Sequence, residues 1–166
     1  FGVILPKIHS TDHNRGFIES RLEVVKRQME TAELQNRVSE FRNCCRHAGL
    51  KVTPQRIAVF KALLASREHP SADMVYKEVR RDYPNISLDT VNRTLGTISN
   101  IGQAFTVEGS GDARRYDADL SDHQHFRCLR CKKIIDFHHS DFDNVMVPEE
   151  LKNYDIVRKT VYFEGF

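Results

Sequence analysis

The chain has 166 residues, of which 40% are hydrophobic and 29% charged, with a formal net charge of +2. This length and composition indicate a soluble globular protein of one small domain or two very small ones. No apolar run approaches the roughly 20 residues of a membrane-spanning helix, and residues 2–5 are too short for the apolar core of a signal peptide. We therefore expect no membrane association.

The charges are distributed unevenly along the chain. Residues 41–100 contain ten Lys and Arg against five Asp and Glu, whereas residues 107–166 contain nine against twelve. A basic middle followed by an acidic end suggests a nucleic-acid-binding module joined to a sensing module. An ordinary solvated surface would give the same asymmetry, so this pattern alone does not decide between the two.

The first periodic segment, residues 18–48, has the apolar spacing of a helix, but its stripe shifts by two positions near residue 33. It predicts two helices, or one helix with a slipped face, ending at Gly49. Core packing explains the stripe, and we interpret Cys44 and Cys45 as inert thiols within or beside it. Residues 1–33 are predicted to be an N-terminal extension that is helical in part.

Three shorter helices follow, each with a start signal. Thr53-Pro54 begins the first, Pro70-Ser71 the second, and Ser87 caps the third, which stops before Gly102. Each has a predicted buried stripe: Ile57, Phe60, Leu63 and Leu64 in the first, Ala72, Val75, Tyr76 and Val79 in the second, and Leu88, Val91, Leu95 and Ile98 in the third.

A hairpin follows these helices, because Ala104–Val107 and Arg114–Asp117 bracket a Gly-rich turn. Helices followed by a two-stranded wing predict a winged helix, whose last helix would enter the major groove of DNA. At about 100° per residue, Arg93 lies opposite the buried stripe of that helix, near Thr90, with Asn92 on its flank. A protein-interaction module would show the same pattern.

The remainder of the chain alternates as strands do. Residues 125–128 and 133–137 are predicted strands on either side of a Cys-x-x-Cys turn, residues 142–151 a short helix, and residues 156–163 a closing strand. An α/β unit of this size is marginal alone, so we expect dimerisation or a structural metal to support it.

Two kinds of metal ligand occur within the fourteen residues from His123 to Asp136. His123 and His125 point to the same face of a strand and can hold one ion, for which nitrogen and carboxylate ligands favour iron, manganese or zinc. Cys128 and Cys131 offer thiolates to a softer ion such as zinc. Four cysteines could form two disulfides, but the adjacency of one pair and the ligand spacing of the other favour a reducing cytoplasm.

Seven short motifs occur in the order of a known family. They are Thr53-Pro-Gln-Arg56, His69-Pro-Ser-Ala-Asp73, Thr90-Val-Asn-Arg93, Arg115-Tyr-Asp117, Asp122-His-Gln-His125, Cys128-x-x-Cys131 and Lys133-Ile-Ile-Asp136. From about residue 34 to residue 166 the chain resembles the ferric-uptake-regulator (Fur) family of bacterial metal-dependent repressors. The resemblance implies an α+β fold: a winged-helix DNA-binding domain over residues 34–107, a wing and hinge over 108–117, and a small α/β dimerisation domain over 118–166. It also implies a homodimer on an AT-rich palindromic DNA operator.

The resemblance further implies a regulatory Fe(II) or Mn(II) site between the domains, made by His69, Asp117, His123, His125 and Asp136. Asp136 stands where iron-uptake sensors usually have Glu, which is typical of the peroxide-responsive branch. In that branch His69 or His123 would be oxidised, the metal lost and the operator released. The DNA-contacting positions that it implies are Arg56, Ser87, Thr90, Asn92 and Arg93.

The chain departs from the family pattern at the structural zinc. That zinc usually takes two Cys-x-x-Cys pairs and needs four ligands, yet the sequence stops at Phe166, about where the second pair should begin. We expect a C-terminal truncation and a half-made zinc site, and the alternative is a protein that has abandoned this zinc. Asn92 also replaces a common Tyr. An iron- or zinc-responsive uptake regulator and a metal-binding interaction module remain alternatives, whereas an enzyme is disfavoured because no nucleophile–base pair accompanies the ligands.

Overall fold

The computed structural model describes the backbone of residues 12–107, 113–143 and 145–166, and the side chains within these ranges from residue 30 onward, apart from residue 143. Its helices are α1 (Asp12–His47), α2 (Pro54–Ala65), α3 (Ala72–Val79), α4 (Leu88–Asn100) and α5 (Ser140–Asp143). Its strands are β1 (Phe105–Val107), β2 (Arg115–Asp117), β3 (Gln124–Cys128), β4 (Ile134–Phe137) and β5 (Tyr162–Gly165). The predicted α+β class is confirmed. None of the helices in the described part of the chain is long and apolar enough to cross a membrane.

The chain divides into two compact units, residues 1–39 and residues 40–166. The described part of the first unit is helical throughout and belongs to α1, so the one-helix interpretation of residues 18–48 holds and the two-helix alternative is wrong. The helix ends as predicted at Gly49, whose φ of +69° is left-handed, and the next N–H, of Leu50, donates to the Cys45 carbonyl at 2.8 Å. The boundary predicted between residues 33 and 34 lies inside this helix.

The second unit contains the end of α1, and its core forms around α2, α3 and α4. Phe41 of α1 stacks on Phe60 of α2 with ring centroids 4.2 Å apart, and both are fully buried. Cys45 is also fully buried, and burial raises the pKa of its thiol. It is therefore a core thiol, as predicted. The four cysteines are all free.

The predicted helix starts are correct. Thr53, Ser71 and Ser87 each precede a helix, and the side-chain oxygen of each accepts a hydrogen bond from the N–H three residues later. Most residues of the three predicted stripes face inward. Leu88 is 39% exposed because it is the first residue of α4 and lies beyond the core. Val59, which was not predicted, is fully buried.

Strands β1 and β2 form the predicted antiparallel hairpin, each one residue shorter than expected, with Phe105 opposite Asp117. The predicted turn at 108–112 lies outside the described residues. Three helices followed by this hairpin form the expected winged-helix arrangement.

A second sheet has the order β4-β3-β5, with β4 antiparallel and β5 parallel to β3. The helix predicted over residues 142–151 is wrong: α5 ends at Asp143, and only a 3-10 turn occurs at Glu149–Leu151. Pro148 lacks an N–H and restricts the residue before it, which explains the break. The strand predicted over 156–163 is also wrong for most of its length, because pairing with β3 begins only at Tyr162.

The register of this sheet separates two sets of side chains. His125 lies opposite Asp136 on β4 and Tyr162 on β5, whereas Phe126 lies opposite Ile135 and Phe163. Since successive residues of a strand point to opposite faces, one face carries the predicted metal ligands and the other is apolar.

Candidate metal centre

Five side chains from separate parts of the second unit meet at one place. They are His69 from the loop before α3, Asp117 from the end of β2, His123 just before β3, His125 within β3 and Asp136 within β4. One donor atom from each lies within 4.8 Å of all the others. The structure thus brings together every residue of the predicted regulatory site, and their metal binding stays a prediction.

Asp117 is at the centre of this cluster. Its Oδ2 atom lies 2.8 Å from Nε2 of His123, 3.2 Å from Nε2 of His69 and 3.3 Å from Nε2 of His125. Its Oδ1 atom accepts a hydrogen bond from the N–H of Asp119 at 2.8 Å, which fixes the carboxylate plane. One buried carboxylate oxygen therefore faces all three imidazoles.

Asp136 completes the cluster on its open side. Its Oδ1 atom is 2.8 Å from Nε2 of His69 and 3.5 Å from Nε2 of His125. The Asp136 side chain is 41% exposed, compared with 9% for Asp117. The centre is thus closed by Asp117 and reaches solvent beside Asp136.

The hydrogen bonding of the imidazoles fits a bound metal. Nδ1–H of His123 donates to the Ser121 carbonyl at 2.8 Å, which directs Nε2 toward Asp117 as the atom that would bind a metal. Nδ1 of His69 is buried without a hydrogen-bond partner among the described residues, and Nε2, although close to oxygens of Asp117 and Asp136, forms no hydrogen bond of acceptable angle with them. An unsatisfied buried polar group costs about 1–3 kcal/mol, and a metal at Nε2 would satisfy one. Imidazole nitrogens and carboxylate oxygens are the ligands that iron, manganese and zinc accept.

Electrostatics couple Asp117 to His123 in the metal-free protein. Burial acts to raise the pKa of Asp117, but hydrogen bonds from His123 and His125 outweigh it and hold that pKa well below its usual range. The hydrogen bond to Asp117 raises the pKa of His123 to about 9, against the opposing effect of burial. At neutral pH the metal-free centre therefore holds an imidazolium–carboxylate pair, and a metal ion must displace that proton to bind.

The backbone of His69 is unusual. Its φ is +48°, in the left-handed region, and it precedes Pro70, which disfavours helical conformations in the residue before it. A non-glycine residue in this region costs on the order of 1–3 kcal/mol and persists only where its surroundings hold it. The carbonyl of His69 accepts a hydrogen bond from Nε of Arg115.

The sequence did not indicate three residues beside the cluster, which are Phe105, Arg115 and Arg158. The ring of Phe105 lies 5.9 Å from the His123 ring and 6.1 Å from the His125 ring, between centroids, and the guanidinium of Arg158 covers Phe105 at 3.1 Å. The predicted hairpin was the signal that could have found Phe105, because its two strands place Phe105 close to Asp117, and the structure pairs these two residues. Arg115 lies in the Arg115-Tyr-Asp117 motif, but nothing in the sequence indicates its contact with the His69 loop.

Cys128 and Cys131 lie at the turn between β3 and β4. Backbone N–H groups of Cys131 and Arg130 point at the Cys128 sulfur and lower the pKa of its thiol, which favours the thiolate form that zinc binds. Among the described residues, no third His, Cys, Asp or Glu side chain lies close enough to bind a metal together with these two thiols. The two thiols alone would supply two of the four ligands that a structural zinc needs, and their zinc binding stays a prediction.

The predicted DNA-contacting residues have different environments. Arg93 and Asn92 are exposed on α4, and the Arg93 side chain is 82% exposed, with only a 3.8 Å contact to Asp89. Ser87 accepts a hydrogen bond from the N–H of Thr90 as the helix cap. Arg56 is half-buried and its guanidinium donates to the Lys51 carbonyl, so part of its hydrogen-bonding capacity is used inside the protein.

Comparison with known proteins identifies the family. The sequence profile of the ferric uptake regulator family matches residues 47–163, which is most of the chain. The chain belongs to the ferric uptake regulator family. Nearly all of α1 lies outside the matched region of this Fur-family chain.

Curated relatives of the Fur-family chain include two proteins described as the peroxide-responsive repressor PerR. The one from Staphylococcus saprophyticus is 36% identical over 120 residues, covering 71% of this chain and 78% of the relative. The one from Staphylococcus epidermidis is 29% identical over 137 residues, covering 82% of this chain and 91% of the relative.

Solved structures of similar fold include members of both branches. The Helicobacter pylori ferric uptake regulator Fur, described as having three functional metal binding sites, has a TM-score of 0.65 at 25% identity and covers 79% of this chain and 89% of that one. The Campylobacter jejuni peroxide stress regulator has a TM-score of 0.56 at 26% identity and covers 76% and 93%.

Proposed function

We propose that this Fur-family chain is a metal-dependent transcriptional repressor that binds operator DNA as a homodimer and releases it in response to peroxide. The observation that carries this proposal is the position of His69. It lies in the loop between helices α2 and α3, whereas the other four donors come from the hairpin and the second sheet. A divalent ion held by all five joins these parts, and it stabilises the joined conformation by its differential affinity for it.

The donor set favours Fe(II) or Mn(II) in this centre. Three imidazoles and two carboxylates form a borderline-hard site, and five donors leave room for a further ligand at the exposed Asp136 side. Bound Fe(II) would supply one-electron redox chemistry that activates peroxide beside the ligands without net consumption of the metal, whereas Mn(II) does not readily do so. A structural Zn(II) at Cys128 and Cys131 would need two more ligands.

We assign the response to oxidation of His69 or His123. In the overall reaction the O–O bond of one peroxide breaks, one oxygen leaves as water, and the other replaces a hydrogen on an imidazole carbon, so the ring loses two electrons. The oxidised ring is a poorer donor, and the five-ligand centre loses its metal. Support comes from the Asp at position 136, which is typical of the peroxide-responsive branch, and from the relatives named for that response.

Recognition of DNA is assigned to α4. Its exposed face presents Asn92 and Arg93, while Val91, Leu95 and Ile98 are buried against the core. In a dimer, two such helices would read half-sites of a palindrome about 34–36 Å apart. An AT-rich operator is the expected partner, and binding should weaken steeply with salt because basic side chains displace counterions.

The apolar face of the second sheet is the proposed dimer surface. Ile135 and Phe163 flank Phe126 on that face and are 46% and 42% exposed. Large exposed apolar side chains in a row mark an interaction surface, and a second copy of the same sheet is the simplest self-complementary partner.

The test combines peptide mass spectrometry with operator binding. The chain is loaded anaerobically with Fe(II) or with Mn(II) and then exposed to low peroxide. The Fe(II) form should gain one oxygen on the peptide containing His69 or His123 and lose operator binding. The Mn(II) form should show neither the added oxygen nor the loss of operator binding. Unmodified histidines with full operator binding after peroxide would refute peroxide sensing.

The second candidate is an iron- or zinc-responsive uptake regulator that uses the same centre without oxidation. It is favoured by the TM-score, which is higher for the Helicobacter pylori ferric uptake regulator than for the Campylobacter jejuni peroxide regulator. In this case operator binding follows the concentration of free metal, and peroxide leaves it unchanged.

A further inference from the structure

Arg115 of β2 connects the hairpin to the loop that carries His69. Its Nε donates to the His69 carbonyl and its Nη2 donates to the Glu68 carbonyl at 2.7 Å. The same strand continues the contact through its backbone, since Ser71 forms an isolated antiparallel bridge with Arg115 and the N–H of Tyr116 donates to the Pro70 carbonyl at 3.1 Å. The loop is thus held along four successive residues.

The side chain of Arg115 has a different role from the backbone contacts. The backbone bonds hold Pro70 and Ser71, which follow His69, whereas the guanidinium holds the two carbonyls at Glu68 and His69 themselves. These carbonyls need a hydrogen-bond donor from another segment, because the left-handed φ of His69 prevents regular helix or strand hydrogen bonding at this point. The fork of the guanidinium supplies two donors in a fixed geometry.

We infer that Arg115 is a positioning residue of the metal centre, which holds the backbone of His69 so that the His69 imidazole reaches Asp117 and Asp136. The inference rests on the proposed function in that it takes His69 as a metal ligand. Asp117 lies two residues after Arg115 on the same strand. One short strand therefore supplies the central carboxylate and also fixes the ligand that comes from the helices.

The test measures Mn(II) affinity by calorimetry on the full chain. Arg115→Ala should weaken Mn(II) binding by about 10–100-fold, the usual effect of removing a group that orients a metal ligand. Arg115→Lys keeps the charge but has a single ammonium in place of the fork, so its affinity should lie between those of Arg115→Ala and the parent. Arg114→Ala is the matched control, because Arg114 is an exposed neighbour with the same charge, and it should bind like the parent.

A second measurement separates positioning from general loss of structure. In a His69→Ala background, Arg115→Ala should cause no further loss of Mn(II) affinity, because the ligand through which it acts is gone. Circular dichroism of each metal-free variant checks that it is folded. If Arg115→Ala is not folded, Arg115→Lys replaces it in both measurements.

The outcomes distinguish failure of the positioning role of Arg115 from failure of the proposed function. If the parent binds Mn(II) and Arg115→Ala binds it equally well, or if Arg115→Ala weakens binding by the same factor with and without His69, the positioning role is wrong and the proposed function stands. If the parent and His69→Ala bind Mn(II) alike, His69 is not a ligand, and both proposals fail.

Discussion

Removal of the Asp117 carboxylate should destabilise the metal-free protein far more than removal of the Asp136 carboxylate, although both belong to the same cluster. The Asp117 side chain is 9% exposed, and its Oδ2 lies within 3.3 Å of three buried imidazoles. Removing one partner of such a buried pair costs about 3–5 kcal/mol, since the remaining charge or donor has no replacement. Asp136 is 41% exposed, and water can replace it, so we expect a loss of about 1 kcal/mol or less.

The assay is thermal unfolding of metal-free Asp117→Ala and Asp136→Ala at neutral pH. For a chain of this size each 1 kcal/mol shifts the Tm by about 2–4 °C, so the Asp117 variant should unfold about 6–20 °C below the parent and the Asp136 variant within about 4 °C of it. Asp122→Ala, which removes an exposed carboxylate next to His123, is the control and should match the parent.

Addition of Mn(II) extends the same experiment to function. The parent should gain stability as RT ln(1 + [metal]/Kd), about 2.7 kcal/mol when the free metal is 100 times Kd. Both carboxylate variants should gain less at the same concentration, because each lacks a ligand. Equal Tm losses for the two metal-free variants would show that the buried carboxylate does not organise the cluster.

Three further predictions concern the other proposed sites. Arg93→Ala should weaken operator binding by about 1–3 kcal/mol at matched salt, whereas the control Arg81→Ala, outside α4, should have a smaller effect. Equal affinity of Arg93→Ala and the parent in a gel-shift titration would contradict the assignment of α4 to DNA binding. The 166-residue chain should bind zinc weakly at Cys128 and Cys131, because these thiols provide two of the four ligands that zinc needs. Stoichiometric zinc that is lost in Cys128→Ser would contradict this and show that other residues complete the site. Asp136→Glu should keep metal-dependent operator binding but lose much of the peroxide response, and an undiminished oxygen gain in its histidine peptides would count against a role for the shorter carboxylate.

The sequence predicted the local elements well where a single physical signal determines them. Capping side chains at Thr53, Ser71 and Ser87 located three helix starts, and Gly49 located the end of α1, because each satisfies or terminates a specific set of backbone hydrogen bonds. The helix predicted over residues 142–151 does not form because apolar spacing does not report the break that Pro148 imposes on the backbone.

The candidate site divides in the same way. His123 and His125 were found from their spacing and Asp136 from its place shortly after them in the chain, whereas His69 and Asp117 required the resemblance, since nothing local in the chain brings these two to the cluster. Phe105 and the role of Arg115 depend on tertiary contacts between segments about 20 to 50 residues apart. Spacing reports which side chains share a face, and it does not report which distant loop packs on that face.

The register of β3 explains how one small sheet could serve both metal binding and dimerisation. His125 and Phe126 are consecutive, yet the first faces the cluster and the second faces the apolar surface, because side chains alternate along a strand. If the apolar faces of two copies pair, the two metal centres lie on the outer faces of a rigid unit. Each bound ion then fixes one set of helices to that unit through His69, and both α4 helices acquire a set separation. Loss of one imidazole ligand removes this constraint without disturbing the dimer, so the proposed mechanism requires that oxidised protein stay dimeric while it releases the operator. Sedimentation of the peroxide-treated Fe(II) form should therefore show a dimer, and a monomer there would place the switch at the subunit interface instead.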